Sequence, residues 1–369
     1  MSTEIKVPYT NFPVTVKGLQ PDLHRALDNV LDSGRYILGP NLTAFEESVA
    51  KLLNIRHVLG VSNGTDALII GLKAMGIEPG DEVITAPNSF LASASSIALA
   101  GATPRFADVG DDMNLDPAAL EAAITPRTKA IIPVHLTGRP AKMSAIMAIA
   151  QKRGLKVLED CAQAIGAKLG GQYIGTFGHA SGFSCHPLKN LFAYGDSGLL
   201  ATNDSALHQK LWMSRSHGMP NRDTCDFWSP NCRMDELHAA FLRVNFQHLP
   251  AWTEERRRLA FRYNDALRGM VRVPDEAPGE YHVYQTYVIR TEHRDELQQY
   301  LKGQQVEALT HYRIPIHLQP AAAPLGYRRG SFPAAEKLAD TILSLPLYPG
   351  LTEAQQDHAI GAIRSFFRG

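Results

Sequence analysis

Apolar residues recur at helical spacing early in the chain, where Leu23, Ala26, Leu27, Val30 and Leu31 share one face and Gly34 supplies a stop. A second helix is expected over TAFEESVAKLLN, with Thr43 as its N-cap. From there short β-rich runs alternate with helical stretches. HVLGVS at 57–62, DEVITA at 81–86, TPRFADV at 103–109, AIIPVH at 130–135 and KVLED at 156–160 read as strands. Between them lie stretches such as TDALIIGLKAM and AKMSAIMAIAQKRG. This alternation predicts βαβ units, hence an α/β fold with a mainly parallel sheet covered by helices on both faces.

The pattern changes near residue 245. Pro250 is followed by a charged helical run, EERRRLAFRYNDALRG, then strand-like HVYQTYVIR, a helix near DELQQYLKG and a Pro-rich segment from Ile314 to Pro333. A last helix is expected from Thr352 to Phe367. The expectation is a large α/β domain over 1–245 and a smaller α+β domain over 246–369. The charges from Glu254 to Arg258 read as a solvated helix face.

Composition narrows the partners. With 369 residues and 44% hydrophobic content the chain can bury a large core. Lys plus Arg number 37 and Asp plus Glu number 37, so no broad basic field exists to collect nucleic acid or anionic membrane, and a small-molecule partner is expected. Cys161, Cys185, Cys225 and Cys232 lack C-x-x-C spacing, so no metal site is expected. The start MSTEIKVPYTNF has no apolar h-region, and a cytoplasmic location is expected.

In an open parallel sheet ligands bind beyond the carboxyl ends of strands, so residues just after each β-run are the candidates for chemistry. Ser62-Asn63-Gly64-Thr65-Asp66 joins a strand to a helix. Backbone N–H groups there make an anion site suited to phosphate, although the same residues also make a plain turn and N-cap. Asp160, in VLEDCAQAIGA, ends an apolar strand; it either meets a cation such as a protonated pyridine nitrogen or caps the following helix. Gln163, one turn on, offers an amide to an oxygen on the same ring. Lys189 sits in the loop between SGFSCHPL and G-D-S-G. In a cleft such an amine loses its proton, condenses with an aldehyde and moves protons, whereas an arbitrary lysine lies in solvent. Phe90, in PNSFLASA, either stacks on a flat ring or belongs to the core. Phosphate cradle, ring stacker, carboxylate and lysine are together the contacts that pyridoxal 5'-phosphate requires.

The order of SNGTDAL, LEDCAQAIGA, SCHPLKN with GDSG, NCRMDELHAAFL, and HLQPA with LGYRRGSFPAAEKLADTILSLPLYPGLT resembles the DegT/DnrJ/EryC1/StrS family of sugar aminotransferases over essentially the whole chain. The resemblance implies aminotransferase fold type I: a large domain with a mainly parallel seven-stranded sheet flanked by helices, plus a smaller α+β domain. It implies that Lys189 carries the cofactor as a Schiff base and transfers protons, and that Asp160 holds the ring nitrogen. Gly64, Thr65 and Ser184 would bind the phosphate, Gln163 the ring hydroxyl, and Phe90 would lie against the ring. Asn231 would reach the phosphate from the neighbouring subunit, which implies a homodimer with shared active sites. Arg233 is then a candidate for a substrate or donor carboxylate. His311, Tyr312 and His317, in the H-Y-x-x-P-x-H pattern, would approach the sugar.

The implied reaction is a ping-pong transamination from an amino donor, glutamate, to a nucleotide-linked ketosugar. HPLKN and HLQPA resemble members acting on dTDP-linked 3-keto-6-deoxyhexoses, which favours C-3 amination; C-4 amination, another ketosugar or a cyclitol stays open. Relatives that dehydrate carry histidine in place of the lysine, so Lys189 argues for transamination. A non-catalytic regulator of the same fold is the rival reading. A dinucleotide-dependent enzyme finds no support, since no G-x-G-x-x-G follows the first strand.

Overall fold

The computed structural model describes residues 6–368. Seven strands form the main sheet: β1 (His57–Val61), β2 (Glu82–Thr85), β3 (Thr103–Phe106), β4 (Thr128–Ile132), β5 (Lys156–Asp160), β6 (Ala180–Ser184) and β7 (Gly198–Thr202). Their order is β1-β7-β6-β5-β4-β2-β3. Strands β6, β5, β4, β2 and β3 pair in parallel, while β7 runs antiparallel to both β6 and β1. Six strands therefore point one way, and their carboxyl ends share one edge of the sheet. Strands β2 and β7 are buried throughout. Helices cover both faces, which is why these strands read as continuous apolar runs rather than alternating ones.

The helices used below are α1 (Gln20–Ser33), α2 (Pro40–Leu53), α3 (Gly64–Ala74), α4 (Ala92–Leu99), α5 (Met143–Arg153) and α6 (Glu236–Leu267). Helix α1 ends where expected, with Gly34 left-handed at φ 61°. Helix α2 starts earlier than its sequence suggests. Thr43 lies inside it, and Pro40 occupies its first turn behind Gly39. The cap comes from a distant residue: the buried Glu236 carboxylate accepts the N–H groups of Gly39 at 3.1 Å, Asn41 at 2.5 Å and Leu42 at 3.1 Å.

Two further expectations are corrected. The helix expected after Pro250 is the second half of α6, which runs 32 residues through that proline. Pro250 is exposed, on the solvent side of the helix, where a proline is tolerated. The expected border between 245 and 246 thus falls inside one helix. In HVYQTYVIR only Tyr287–Arg290 forms a regular strand, paired antiparallel with Ile342–Leu345. Upstream of it, the Val283 N–H goes to the Gly138 carbonyl at 3.1 Å and the Thr286 N–H to the Thr137 carbonyl at 3.3 Å.

One core lies around the main sheet and takes in Val283, Val288, Ile316 and Leu338 from the C-terminal part. A second core gathers Leu259, Tyr263, Tyr287, Leu297, Leu343 and Ile363. Among the described residues no helix is long and apolar enough to cross a membrane.

Candidate active site

A cavity of about 650 Å³ opens at the carboxyl edge of the sheet. It is built from the segments that leave β1, β2, β4, β5 and β6, together with His311 and Tyr312 from the C-terminal part.

At the end of β1, Asn63 caps α3: its side-chain oxygen accepts the Asp66 N–H at 2.8 Å and its carbonyl the Ala67 N–H at 3.1 Å. The turn-and-cap reading of this sequence is therefore correct, and it is compatible with the anion reading. Capping at Asp66 and Ala67 leaves the Gly64 and Thr65 N–H groups at the positive helix end, on the cavity wall with Ser184. Gly64 is required by close approach, because a Cβ there would stand 2.8 Å from the Ser184 Cβ. Gly198, at the start of β7, is required in the same way: its Cβ would lie 2.4 Å from the Asn63 carbonyl carbon.

Asp160 is buried at the end of β5. One oxygen accepts the Ala162 N–H at 3.1 Å, the other the Ser93 hydroxyl at 2.9 Å. Burial pushes its pKa up, against the pull of those two donors and of Lys189. Lys189 is pushed down by burial, with the Asp160 charge acting the other way. Desolvation thus outweighs mutual attraction at both groups. A buried carboxylate held this way suits a cation placed against it, and a lysine shifted toward its neutral amine suits attack on an aldehyde.

The Lys189 loop is pinned from three sides. The Lys189 N–H donates to the His186 carbonyl at 2.8 Å, Asn190 donates to the Ile165 carbonyl at 3.0 Å, and Gln285 donates to the Leu188 carbonyl at 2.5 Å. Phe90 is 52% exposed and lines the cavity, so it is not a core residue; its ring centroid lies 5.6 Å from that of Tyr312. The Gln163 side-chain oxygen takes the Thr137 N–H at 2.7 Å, which leaves the amide nitrogen to donate to the Tyr312 hydroxyl at 3.3 Å. Burial raises the Tyr312 pKa, so it stays protonated. Burial and then Lys189 hold His311 down at about 4, so it is neutral near pH 7.

Free N–H groups, an underpaired carboxylate and a desolvated amine on one cavity fit a phosphorylated pyridine aldehyde. Gly64, Thr65, Phe90, Asp160, Gln163, Ser184, Lys189, His311 and Tyr312 come together here. Three expected residues do not. His317 is a correction: it is buried away from the cavity, its Nε2 2.9 Å from the Glu336 carboxylate and its ring against Phe332. Asn231 is exposed, and Arg233 pairs its backbone with Val61 on the outer edge of β1. Sequence reasoning passed over Ser93 and Thr137. Only their places after β2 and β4 hinted at them.

A model of the DegT/DnrJ/EryC1/StrS aminotransferase family matches residues 19–364. The sequence is 46% identical to a pleiotropic regulatory protein of Geobacillus stearothermophilus over 99% of both chains. It is 41% identical to the UDP-N-acetyl-3-dehydro-alpha-D-glucosamine 3-aminotransferase of Acidithiobacillus ferrooxidans over 100% of both. It is 40% identical to the dTDP-3-amino-3,4,6-trideoxy-alpha-D-glucose transaminase of Streptomyces venezuelae, over 98% of this chain and 96% of that one. Among solved structures, DesV of S. venezuelae in complex with a ketimine intermediate has a TM-score of 0.96 at 40% identity, covering 98% of this chain and 99% of its own. NtdA of Bacillus subtilis with its cofactor PMP bound has a TM-score of 0.93 at 30% identity, covering 100% and 86%.

Proposed function

This chain belongs to the DegT/DnrJ/EryC1/StrS aminotransferase family and is a pyridoxal-phosphate-dependent aminotransferase, and we propose that it moves an amino group from glutamate to C-3 of a nucleotide-linked ketosugar. The observation that carries the reading is the meeting of Lys189 and Asp160 on one cavity beside the start of α3. Two of the relatives above, at 40% and 41% identity, are named for amino groups at position 3 of sugars, one on dTDP and one on UDP. That agreement supports C-3. The nucleotide is assigned as dTDP, with a 6-deoxyhexose, on the likeness of HPLKN and HLQPA.

Bound cofactor supplies an aldehyde and an electron-withdrawing ring that stabilises a carbanion at the substrate carbon. The chain does the rest. Lys189 holds the aldehyde and then, through Nζ, carries the proton to and from that carbon. Asp160 would hold the ring nitrogen in its protonated form, and that charge would relieve its own desolvated carboxylate. The Gly64 and Thr65 N–H groups and the Ser184 hydroxyl bind phosphate. Gln163 would hold the ring hydroxyl through its amide nitrogen, Phe90 would lie against the ring, and His311 and Tyr312 would face the sugar. Asn231 arrives from the partner in a homodimer, with Arg233 beside it for a substrate or donor carboxylate. Its exposure in the single chain, next to an almost fully exposed Trp228, supports that arrangement.

Purified enzyme incubated with glutamate and a panel of dTDP- and UDP-linked 3-keto and 4-keto sugars tests the reading, with mass spectrometry of products and NMR for the position. The expected product is the 3-amino sugar on dTDP. The wild type is expected to be yellow, and Lys189→Ala to lose both colour and turnover. A Lys189→Ala protein that still transaminates overturns the assignment. A coloured wild type inert toward the whole panel would favour the regulatory reading, which the name of the Geobacillus relative suggests.

A further inference from the structure

Thr137 is a β-branched residue in the left-handed region, at φ 61° and ψ 2°, in the buried turn after β4. Backbone in that region is costly for such a side chain and persists only where its surroundings hold it. Here every polar group of the residue is committed. Its N–H donates to the Gln163 side-chain oxygen at 2.7 Å. Its carbonyl accepts the Thr286 N–H at 3.3 Å. Its hydroxyl lies 3.3 Å from His282 Nε2. His282 Nδ1 accepts the Tyr284 N–H at 2.7 Å, so Nε2 carries the ring proton and donates to Thr137. The next residue leaves no slack: a Cβ on Gly138 would stand 2.8 Å from Val283 and 3.0 Å from the Gln163 carbonyl oxygen.

We infer that Thr137, clamped by His282 and Thr286, is a positioning residue that fixes the orientation of the Gln163 amide. The inference rests on the assignment of Gln163 to the cofactor ring made above. With its oxygen locked onto the Thr137 N–H, the amide can present only its N–H₂ group to the cavity, as it does to Tyr312. Were the turn to relax, the amide would be free to flip and set an acceptor against the ring oxygen. His282 comes from the C-terminal part of the chain, so the orientation of a cavity residue is set by a segment outside the cavity wall.

The test is a pH titration of the visible band of the cofactor-loaded protein, run on wild type, Thr137→Val, Thr137→Gly, Thr137→Ser and Gln163→Ala. Valine keeps the shape and loses the hydroxyl; glycine relieves the backbone and loses the clamp; serine keeps the hydroxyl. An N–H donor draws charge from the ring oxygen, which otherwise holds the proton next to it. Losing the donor is therefore expected to raise the midpoint by about one pH unit in Gln163→Ala, Thr137→Val and Thr137→Gly, with serine close to wild type. The same three variants are expected to lose roughly ten- to a hundredfold in kcat with little change in KM for glutamate. If the valine protein fails to fold, the glycine variant decides. Wild-type midpoints in the Thr137 variants beside a shifted Gln163→Ala overturn the positioning role alone. An unshifted Gln163→Ala overturns the ring assignment and this inference together, and a wild type with no visible band overturns the Lys189 reading beneath both.

Discussion

Burial makes the charged form of Asp160 unfavourable in the folded chain, a penalty that a cation bound against it relieves. Its folded pKa is raised by burial, so ionising it costs the folded chain more than the unfolded one. The sign follows: stability is highest below the ordinary carboxylate value and falls as pH rises through the raised pKa. Asparagine keeps an acceptor for the Ala162 N–H and can donate to the Ser93 oxygen without any charge to bury. Cofactor-free Asp160→Asn is therefore expected to melt a few degrees above wild type at about pH 8, with the gap shrinking toward about pH 5. Its transaminase rate should fall by about a hundredfold or more. Thermal unfolding of both proteins at the two pH values checks the first point; a wild type more stable at pH 8 would sink it. The candidate carboxylate was legible in the sequence because it ends a recognisable β-run, and the lysine only through SCHPLKN and GDSG around it. His317 misled because a histidine in a matching pattern carries no record of its partner, and Glu336, 19 positions away, holds it in the core.

Among the elements, α2 shows what local reading misses. Its start is set neither by Thr43 nor by any cap in its own sequence but by Glu236, the first residue of α6. Three N–H donors converge on that one buried carboxylate, and Gly39 is glycine because a Cβ would stand 2.7 to 2.9 Å from it. Glu236→Ala would leave those donors without acceptors, at an expected cost of about 3 kcal/mol measured by urea unfolding. Glu236→Gln should recover part of the loss, since one side-chain oxygen remains. Strands β1, β2, β4 and β5 were readable from their apolar runs because they are buried over most of their length. The stretch from His282 to Thr286 was not, because its hydrogen bonds go to the Thr137 turn instead of a neighbouring strand. Pro250 misled for the opposite reason: on the exposed face of a long helix it removes one N–H donor without ending the helix.

At the scale of the whole molecule, the open question is where Asn231 acts. In a single chain it sits outside the cavity, exposed, on a segment that pairs with the end of β1 at Val61. A two-fold dimer with shared sites would bring the Asn231 of one subunit to the Lys189 of the other, and symmetry makes this testable without a further structure. Lys189→Ala and Asn231→Asp chains, each inactive alone, are mixed and allowed to exchange subunits. In a hybrid dimer one site carries both defects, while the other combines an intact Lys189 with an intact Asn231. With random pairing half the dimers are hybrids, so about a quarter of the wild-type sites should return. If Asn231 instead served its own chain, every site in the hybrid would carry one defect and mixing would restore nothing. The two arrangements thus differ by the presence or absence of rescue, whatever each single substitution costs.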